Sequence, residues 1–346
     1  MRLEIESVRA RLRAPFVSAS GSLIERGLAL VRLEDEDGFV GVGEAAPLAD
    51  YHGVNLEDVL DALEGAQHIL AAAVKGTPED VLSEWRRMAA TPAVAAIDMA
   101  LWDLEGRRTG EPVWRLLGAG SADPLEVNAT IAAGDRASAV AQADVARQAG
   151  FRCVKVKVGI GDDAGRLAAV RAVLGGGIAI RLDANGAWSV EEAIAALRAL
   201  APVGIELCEE PVHGLEQARE VADEITEVPI ALDETAAAAD ALEECVCQAV
   251  CLKIAACGGI TGLLDAARRA RDVGYEVYLA STLDGPLGIS AALHVAAAIE
   301  PDRPCGLATL SQFADREAPL DAEDGRMAVP DGAGLGDGLL GWYLPD

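Results

Sequence analysis

Of the 29 basic residues in this 346-residue chain, 25 are arginine and only four are lysine, at positions 75, 155, 157 and 253. An ammonium gives up its proton when its surroundings lower its pKa, whereas a guanidinium in practice does not. Lys155, Lys157 and Lys253 are therefore candidates for proton transfer, and acids recur between them at even intervals. From Lys157 the steps to Asp183, Glu209, Asp233, Lys253 and Ser281 are 26, 26, 24, 20 and 28 residues, each about one strand–helix unit. Three converging carboxylates supply the hard oxygen ligands that suit Mg²⁺, or Mn²⁺ in its place, with room left for water and substrate. Lys155 and Lys157 share one strand face because side chains alternate with period two, and Lys253 comes from the opposite side of the carboxylates. A small carboxylate substrate held there would have an amine on each face. The step this implies is proton abstraction α to a carboxylate, whose enediolate product carries two negative charges that a divalent cation and ammonium groups stabilise. A lysine close to a metal and to another lysine is expected to have a lowered pKa and to act as base near neutral pH.

Such a constellation needs elements that repeat at the same interval. Beyond Asp123-Pro124 short apolar runs alternate with Ala-rich helical stretches. The runs are Leu125–Ile131, Cys153–Val158, Ile178–Asp183, Ile205–Glu209, Pro229–Asp233, Val250–Ile254, Glu276–Ala280 and Gly306–Leu310. Each of the first seven is expected to lead into a helix, which predicts parallel strands with helical crossovers. Eight strands in this span predict a closed (β/α) barrel with the chemistry at the strands' C-terminal ends. An open doubly wound sheet fits less well, since no phosphate-cradling GxGxxG follows a strand. Before the barrel, residues 2–13, 28–33 and 39–43 read as a small antiparallel sheet around the turn Asp35-Glu36-Asp37-Gly38. A helical pattern then runs from Asn55, a suitable N-cap, to about Leu117, with Pro78 and Pro92 placed for first turns and a break at Gly110-Glu111-Pro112. The expected fold class is α/β. It comprises an α+β capping domain over residues 1–122, a modified TIM-like (β/α) barrel over 123–311, and a tail over 312–346 that returns to complete the cap.

Composition narrows the partners. A formal net charge of −27 opposes binding to phosphate backbones or to anionic membrane surfaces. No apolar run is long enough to cross a bilayer, and the alternating N-terminus lacks a signal-peptide core. Seven cysteines without paired CxxC spacing, and only four histidines, argue for free thiols in a reducing cytoplasm rather than a zinc site. The expected partner is a small-molecule carboxylate, with no nucleic acid and no membrane; a homo-oligomer is compatible with the sequence.

The motifs Lys155-Val156-Lys157, Leu182-Asp183-Ala184-Asn185-Gly186-Ala187-Trp188, Glu209-Glu210-Pro211, Leu232-Asp233-Glu234 and Leu252-Lys253 resemble the enolase superfamily and, within it, the muconate-lactonizing-enzyme subgroup. Gly43-Glu44-Ala45-Ala46-Pro47-Leu48 extends the resemblance into the first domain. It implies metal ligands at Asp183, Glu209 (rather than Glu210) and Asp233. Lys157 would be the base, Lys253 an opposing acid, base or cationic stabiliser, Lys155 a tuner of Lys157, and Asn185 an outer contact. The stretch Ala280–Ile289, with Cys305–Leu310 after it, looks most like o-succinylbenzoate synthases, lyases that dehydrate a cyclohexadiene carboxylate in menaquinone synthesis. Subgroup members with racemase, epimerase or cycloisomerase activity share the same polar positions. The dipeptide epimerases among them carry an Asp-x-Asp near the eighth strand, where this chain is apolar.

Other residues carry weaker signals. Arg181 has the parity of Asp183 and is a candidate for a substrate carboxylate, as are Ser281 and Asp284 for outer or substrate contacts. His52 reads as a loop histidine, His213 as rim, Trp188 as packing, and Lys75 as an exposed helix end. Phe16–Ile24 fits a mobile lid, as the resemblance implies. Gly285-Pro286-Leu287-Gly288 is a thin candidate for the phosphate site of a flavin or phosphosugar barrel.

Overall fold

The computed structural model describes residues 1–18, 21–66, 89–132 and 134–344; Lys75, Pro78 and part of the expected lid lie outside them. β1 (Arg2–Ser18), β2 (Gly21–Glu34) and β3 (Val40–Ala45) form an antiparallel sheet in that order. Two short helices follow, α1 (Ala49–His52) and α2 (Leu56–Gly65), the second opened by an Asn55–Asp58 capping box. α3 (Thr91–Thr109) has Pro92 in its first turn and Gly110 as its left-handed stop. It is buried on most sides, because β3 lies directly on it and barrel helices pack on its other flank. That approach requires glycine: a Cβ on Gly41 would sit 2.1 Å from the Ala100 carbonyl oxygen, and one on Gly43 2.0 Å from that of Ala96.

The barrel is a seven-stranded parallel sheet of β5 (Ala129–Ile131), β6 (Cys153–Lys157), β7 (Ala179–Asp183), β8 (Ile205–Glu209), β9 (Ile230–Leu232), β10 (Ala249–Leu252) and β11 (Glu276–Leu279), in sequential order. α4 (Arg136–Gln148), α5 (Asp163–Leu174), α6 (Val190–Leu200), α7 (Leu215–Glu224), α8 (Ile254–Cys257), α9 (Ile260–Val273) and α10 (Pro286–Ile299) form the crossovers. Strand interiors pack against these helices in one continuous apolar cluster, and the polar strand ends face the mouth.

Three details depart from the sequence reading. The expected first strand divides, since β4 (Leu125–Glu126) pairs antiparallel with β12 (Arg326–Met327) of the tail, and only β5 joins the barrel. The expected eighth strand, Gly306–Leu310, is reduced to two parallel bridges, Val127↔Cys305 and Ala280↔Gly306, which span the gap between β5 and β11. It stops there because the Thr309 N–H turns back onto the Leu307 carbonyl at 2.8 Å. After β9 there is a 3₁₀ turn, Glu234–Ala237, instead of a helix. The Asp233 and Thr235 N–H groups are taken by the Glu210 carboxylate at 2.8 and 3.0 Å.

Cap, barrel and tail meet at a buried polar seam. Glu44 of β3 accepts from the Gly285 N–H at 2.7 Å and pairs with the hydroxyl of Tyr343, which also accepts from the Leu287 N–H at 2.9 Å. Arg26 holds the carbonyls of Pro47 and Ala46 at 2.7 and 3.0 Å. Burial, then the neighbouring Asp284, pushes the Glu44 carboxyl up to about 8 from 4.5. The folded protein therefore binds more protons than the unfolded chain between these values, and stability from this group is lost as pH rises through that window. Its contribution to the slope is on the order of 1 kcal/mol per pH unit. Glu44→Gln should flatten the fall in unfolding free energy between pH 5 and 8, measured by urea titration. An unchanged slope would show that Glu44 does not carry it.

Candidate active site

The strand ends fix where each polar side chain points. Pairing aligns Lys155 with Arg181, Lys157 with Asp183, and Asp183 with Glu209, so one layer of side chains emerges at the mouth and another stays below it. The upper layer opens into a cavity of about 360 Å³ whose lining includes Lys155, Lys157, Asp183, Asp233 and Lys253. Glu209 is not part of that lining and is 1% exposed. Lys155 Nζ is 2.7 Å from Asp183 Oδ2 and also contacts Glu209 Oε2, so it joins two of the acids. Lys157 Nζ lies 2.6 Å from Asp183 Oδ2 and donates to Asn185 Oδ1 at 2.8 Å. Lys253 Nζ lies 2.6 and 2.8 Å from the two oxygens of Asp233.

The electrostatics follow from this pairing. Burial alone would raise the Asp183 carboxyl, but Lys155 and Lys157 hold it well below the usual carboxylate range. Burial likewise disfavours the ammonium forms of Lys155 and Lys253. Asp183 and Glu209 at the first, and Asp233 at the second, outweigh it and hold both above the ordinary lysine value. The lowering expected of a lysine beside a metal and a second lysine needs the cation's charge; with carboxylates alone as neighbours, these two ammonium forms are favoured. Burial, then Asp233, pushes Glu234 up to about 7; its Oε1 accepts from Asn185 at 2.8 Å and its Oε2 has no partner among the described residues.

Oxygen atoms of Glu209 and Asp233 and the Cys251 sulfur lie within 4.8 Å of one another. Burial, then Asp233, raises the Cys251 thiol well above its ordinary value, so it stays protonated beneath the site. The anionic donors are the carboxylates of Asp183, Glu209 and Asp233, a hard set suited to a divalent cation.

Two expected substrate contacts are elsewhere. Arg181 is fully buried in the lower layer, where it pairs with Glu206 at 3.2 Å, lies 3.6 Å from Glu209 Oε1 and stacks 4.3 Å from the Tyr278 ring. Equal parity put it on the inner face, but one layer too deep. Asp284 is 1% exposed and accepts from Thr282 at 2.7 Å. The left-handed turn at Leu283 sends Leu283 toward the cavity and Asp284 into the seam. Ser281 does line the cavity, bonded to Thr309 at 2.9 Å. His52 Nδ1 accepts from the Leu48 N–H, and burial pushes the ring down to about 4, so it is a neutral structural group. His213 is at the rim, 2.9 Å from Glu210. Phe16, Ser22 and Leu23 of the cap hairpin also reach the lining. Sequence reasoning gave no role to Glu234 or Tyr51, which line the cavity, or to Glu210 as the anchor of the Asp233 turn. Glu234 was detectable as the residue beside Asp233, whereas Tyr51 comes from another domain with no local signal.

A barrel mouth that gathers three acids and three lysines beneath an α+β cap defines an enzyme of the enolase superfamily, and the chain belongs to it. Residues 1–118 match the mandelate racemase / muconate lactonizing enzyme N-terminal domain, and residues 138–339 the enolase C-terminal domain-like family. Among curated relatives, L-Ala-D/L-Glu epimerase of Bacillus subtilis is 32% identical over 86% of this chain and 84% of its own. D-Ala-D/L-Ala epimerase of Cytophaga hutchinsonii is 29% identical over 99% and 96%, and N-succinyl-L-Arg/Lys racemase of Bacillus cereus 29% over 85% and 83%. The crystal structure of the Bacillus cereus racemase matches with a TM-score of 0.90 at 25% identity, covering 99% of this chain and 97% of that one. The dipeptide epimerase of Enterococcus faecalis, complexed with Mg and L-Leu-L-Tyr, matches at 0.87 and 28% identity, covering 97% and 98%. These relatives are isomerases. They overturn the expectation of a lyase and, with it, the likeness to o-succinylbenzoate synthase. Among the described residues no helix is long and apolar enough to cross a membrane.

Among the described residues Arg181 is the one cation beside both Glu206 and the inner oxygen of Glu209, so its loss leaves buried carboxylate under-compensated. Arg181→Met should cost about 3 kcal/mol in chemical denaturation. A change within about 0.5 kcal/mol, the range of ordinary surface substitutions, would refute this account.

Proposed function

We propose that this protein is a Mg²⁺-dependent racemase or epimerase that inverts the carbon α to a carboxylate in N-acylated amino acids. The observation that carries the reading is the presence of two lysines in one cavity, Lys157 against Asp183 and Lys253 against Asp233, with the acids between them. Inversion needs this arrangement. One lysine, as the free amine, removes the α-hydrogen as a proton, and the electron pair passes into the carboxylate to give the enediolate. The other, as the ammonium, delivers a proton to the opposite face, and the next turnover runs the same steps in reverse. Asp183, Glu209 and Asp233 would hold Mg²⁺, which supplies positive charge against the dianionic enediolate. Lys155 neutralises Asp183 and Glu209 from below, and Asn185 orients Lys157. The Mg-complexed epimerases among the structural neighbours support the choice of cation.

The substrate class rests on the cavity wall. Its acids among the described residues, Asp183, Asp233 and Glu234, all belong to the polar cluster, and the opposite wall offers Thr130, Ser281 and Thr309 hydroxyls beside Gly306. Among the described residues nothing on that wall pairs a free substrate ammonium, whereas hydroxyls suit an amide. An N-acylated amino acid meets that wall without an uncompensated buried charge, and an unprotected dipeptide does not.

The test is α-proton exchange in D₂O, followed by NMR together with optical rotation, on N-acetylamino acids and on dipeptides. Excess chelator should abolish both readouts and Mg²⁺ should restore them. Lys157→Arg and Lys253→Arg should each lower racemisation by about 10²–10⁴-fold, since guanidinium is a poor base. Full turnover in chelator, or near-native racemisation by either variant, defeats the mechanism. Faster turnover of dipeptides defeats only the substrate class.

A further inference from the structure

Each of the two lysines lies under an aromatic ring supplied by the capping domain. The Phe16 ring of β1 is centred 5.3 Å from Lys157 Nζ, and the Tyr51 ring of α1 4.0 Å from Lys253 Nζ. The two contacts differ in kind. Phe16 has no polar atom with which to fix its ring. The Tyr51 hydroxyl donates to Asp233 Oδ1 at 3.0 Å and lies 3.1 Å from the Asp233 carbonyl oxygen. Lys253 Nζ is 2.6 Å from that same Oδ1. Tyr51, Asp233 and Lys253 thus form a closed triangle in which every pair is in contact.

The ring is held from behind as well. The His52 Nδ1 contact with the Leu48 N–H ties the turn that carries Tyr51, and Arg26 clamps the carbonyls of Ala46 and Pro47 just before it. An ammonium over an aromatic face at this distance is attracted by the ring quadrupole, and more strongly when water is excluded. Lys253 is 7% exposed. Without the ring, its flexible stem regains rotamers that carry Nζ away from the reacting carbon.

We propose that Tyr51 is a positioning residue for Lys253, so that proton transfer on one face of the substrate, and not on the other, depends on the capping domain. This rests on the racemase reading given above. Lys157 is placed by Asp183 and Asn185, both from β7 and the turn after it, and needs nothing from Tyr51. A ring that merely packed would affect both enantiomers alike, and one that acted only by touching substrate would leave Lys253 in its native place when removed.

Solvent-deuterium exchange of each N-acetylamino acid enantiomer separates these cases. Lys253→Ala identifies the enantiomer that Lys253 deprotonates, as the one whose exchange disappears. Tyr51→Leu should slow exchange of that enantiomer by about tenfold or more, with less than a twofold change in the other. Tyr51→Phe, which keeps the ring and loses the tether, should give a smaller effect with the same selectivity. Equal slowing of both enantiomers, or no slowing, overturns the inference while leaving the racemase reading intact. Absence of exchange by the native enzyme removes that reading instead. The positioning itself is then decided by a crystal structure of Tyr51→Leu. Lys253 should leave Asp233 while Lys157 stays on Asp183, and a Lys253 in its native place overturns the proposal.

Discussion

Three carboxylates withdrawn almost completely from water at one barrel mouth cannot all remain ionised without cations beside them. Asp183, Glu209 and Asp233 are at most 1% exposed, and the desolvation penalty of an unpaired ion at such a place is several kcal/mol. Lys155, Lys157 and Lys253 meet that requirement by direct contact. The requirement also explains why the lower layer is polar: Arg181 stands beneath Glu209, Glu206 beneath Arg181, and Arg303 beside Glu206 at 2.9 Å. Charge alternates down the barrel, each ion compensated by the next, to the solvent-facing end. In the function proposed above, the same groups that make the fold tolerate its acids are the ones that move protons, so stability and chemistry are not separable.

Much of this was legible along the chain because the barrel is periodic. A strand–helix unit of nearly constant length puts Lys157, Asp183, Glu209, Asp233 and Lys253 at successive strand ends, and the scarcity of lysine distinguishes them from surface charge. What was not legible depends on partners remote in sequence. Arg181 and Asp183 have the same parity, and only the depth of a layer separates a buried counter-ion from a cavity group. Asp284 was misplaced by a single left-handed residue, Leu283. The shortened eighth strand and the missing helix after β9 are decided by where individual N–H groups find acceptors, at Leu307 and at Glu210, and no hydrophobic pattern reports that. The choice of reaction failed for a related reason. The motifs encode the polar cluster shared across the superfamily, whereas the substrate meets a wall assembled from two domains.

That wall depends on the cap–barrel seam. Glu44 receives the first free N–H of α10, at Gly285, and Tyr343 receives that of Leu287, so two donors left open by a helix start are satisfied from outside the barrel. The residues just before α10, Ser281 to Leu283, line the cavity, and the residues just after Glu44, Ala46 and Pro47, lead into α1 with Leu48 and Tyr51. One seam therefore sets the spacing of two opposite walls. Arg26 reinforces it by reaching the carbonyls of Pro47 and, at 3.4 Å, of Leu283.

Under the proposed mechanism the two faces of the substrate answer to different parts of the molecule. Lys157 is fixed by β7 and the turn after it, whereas Lys253 is fixed by the Asp233 turn and by the cap. Two enantiomers have the same free energy, so a racemase must show equal kcat/KM in its two directions however unequal its two lysines are. The asymmetry is absent from that ratio. It appears in kcat and KM taken separately, and in how often the enediolate is reprotonated on the face it came from, a partition set by how firmly each ammonium is held. An enzyme built this way can alter its cap, and with it the substrate wall, while the Lys157 face stays intact. The adjustable half of the chemistry lies where Tyr51 meets Lys253.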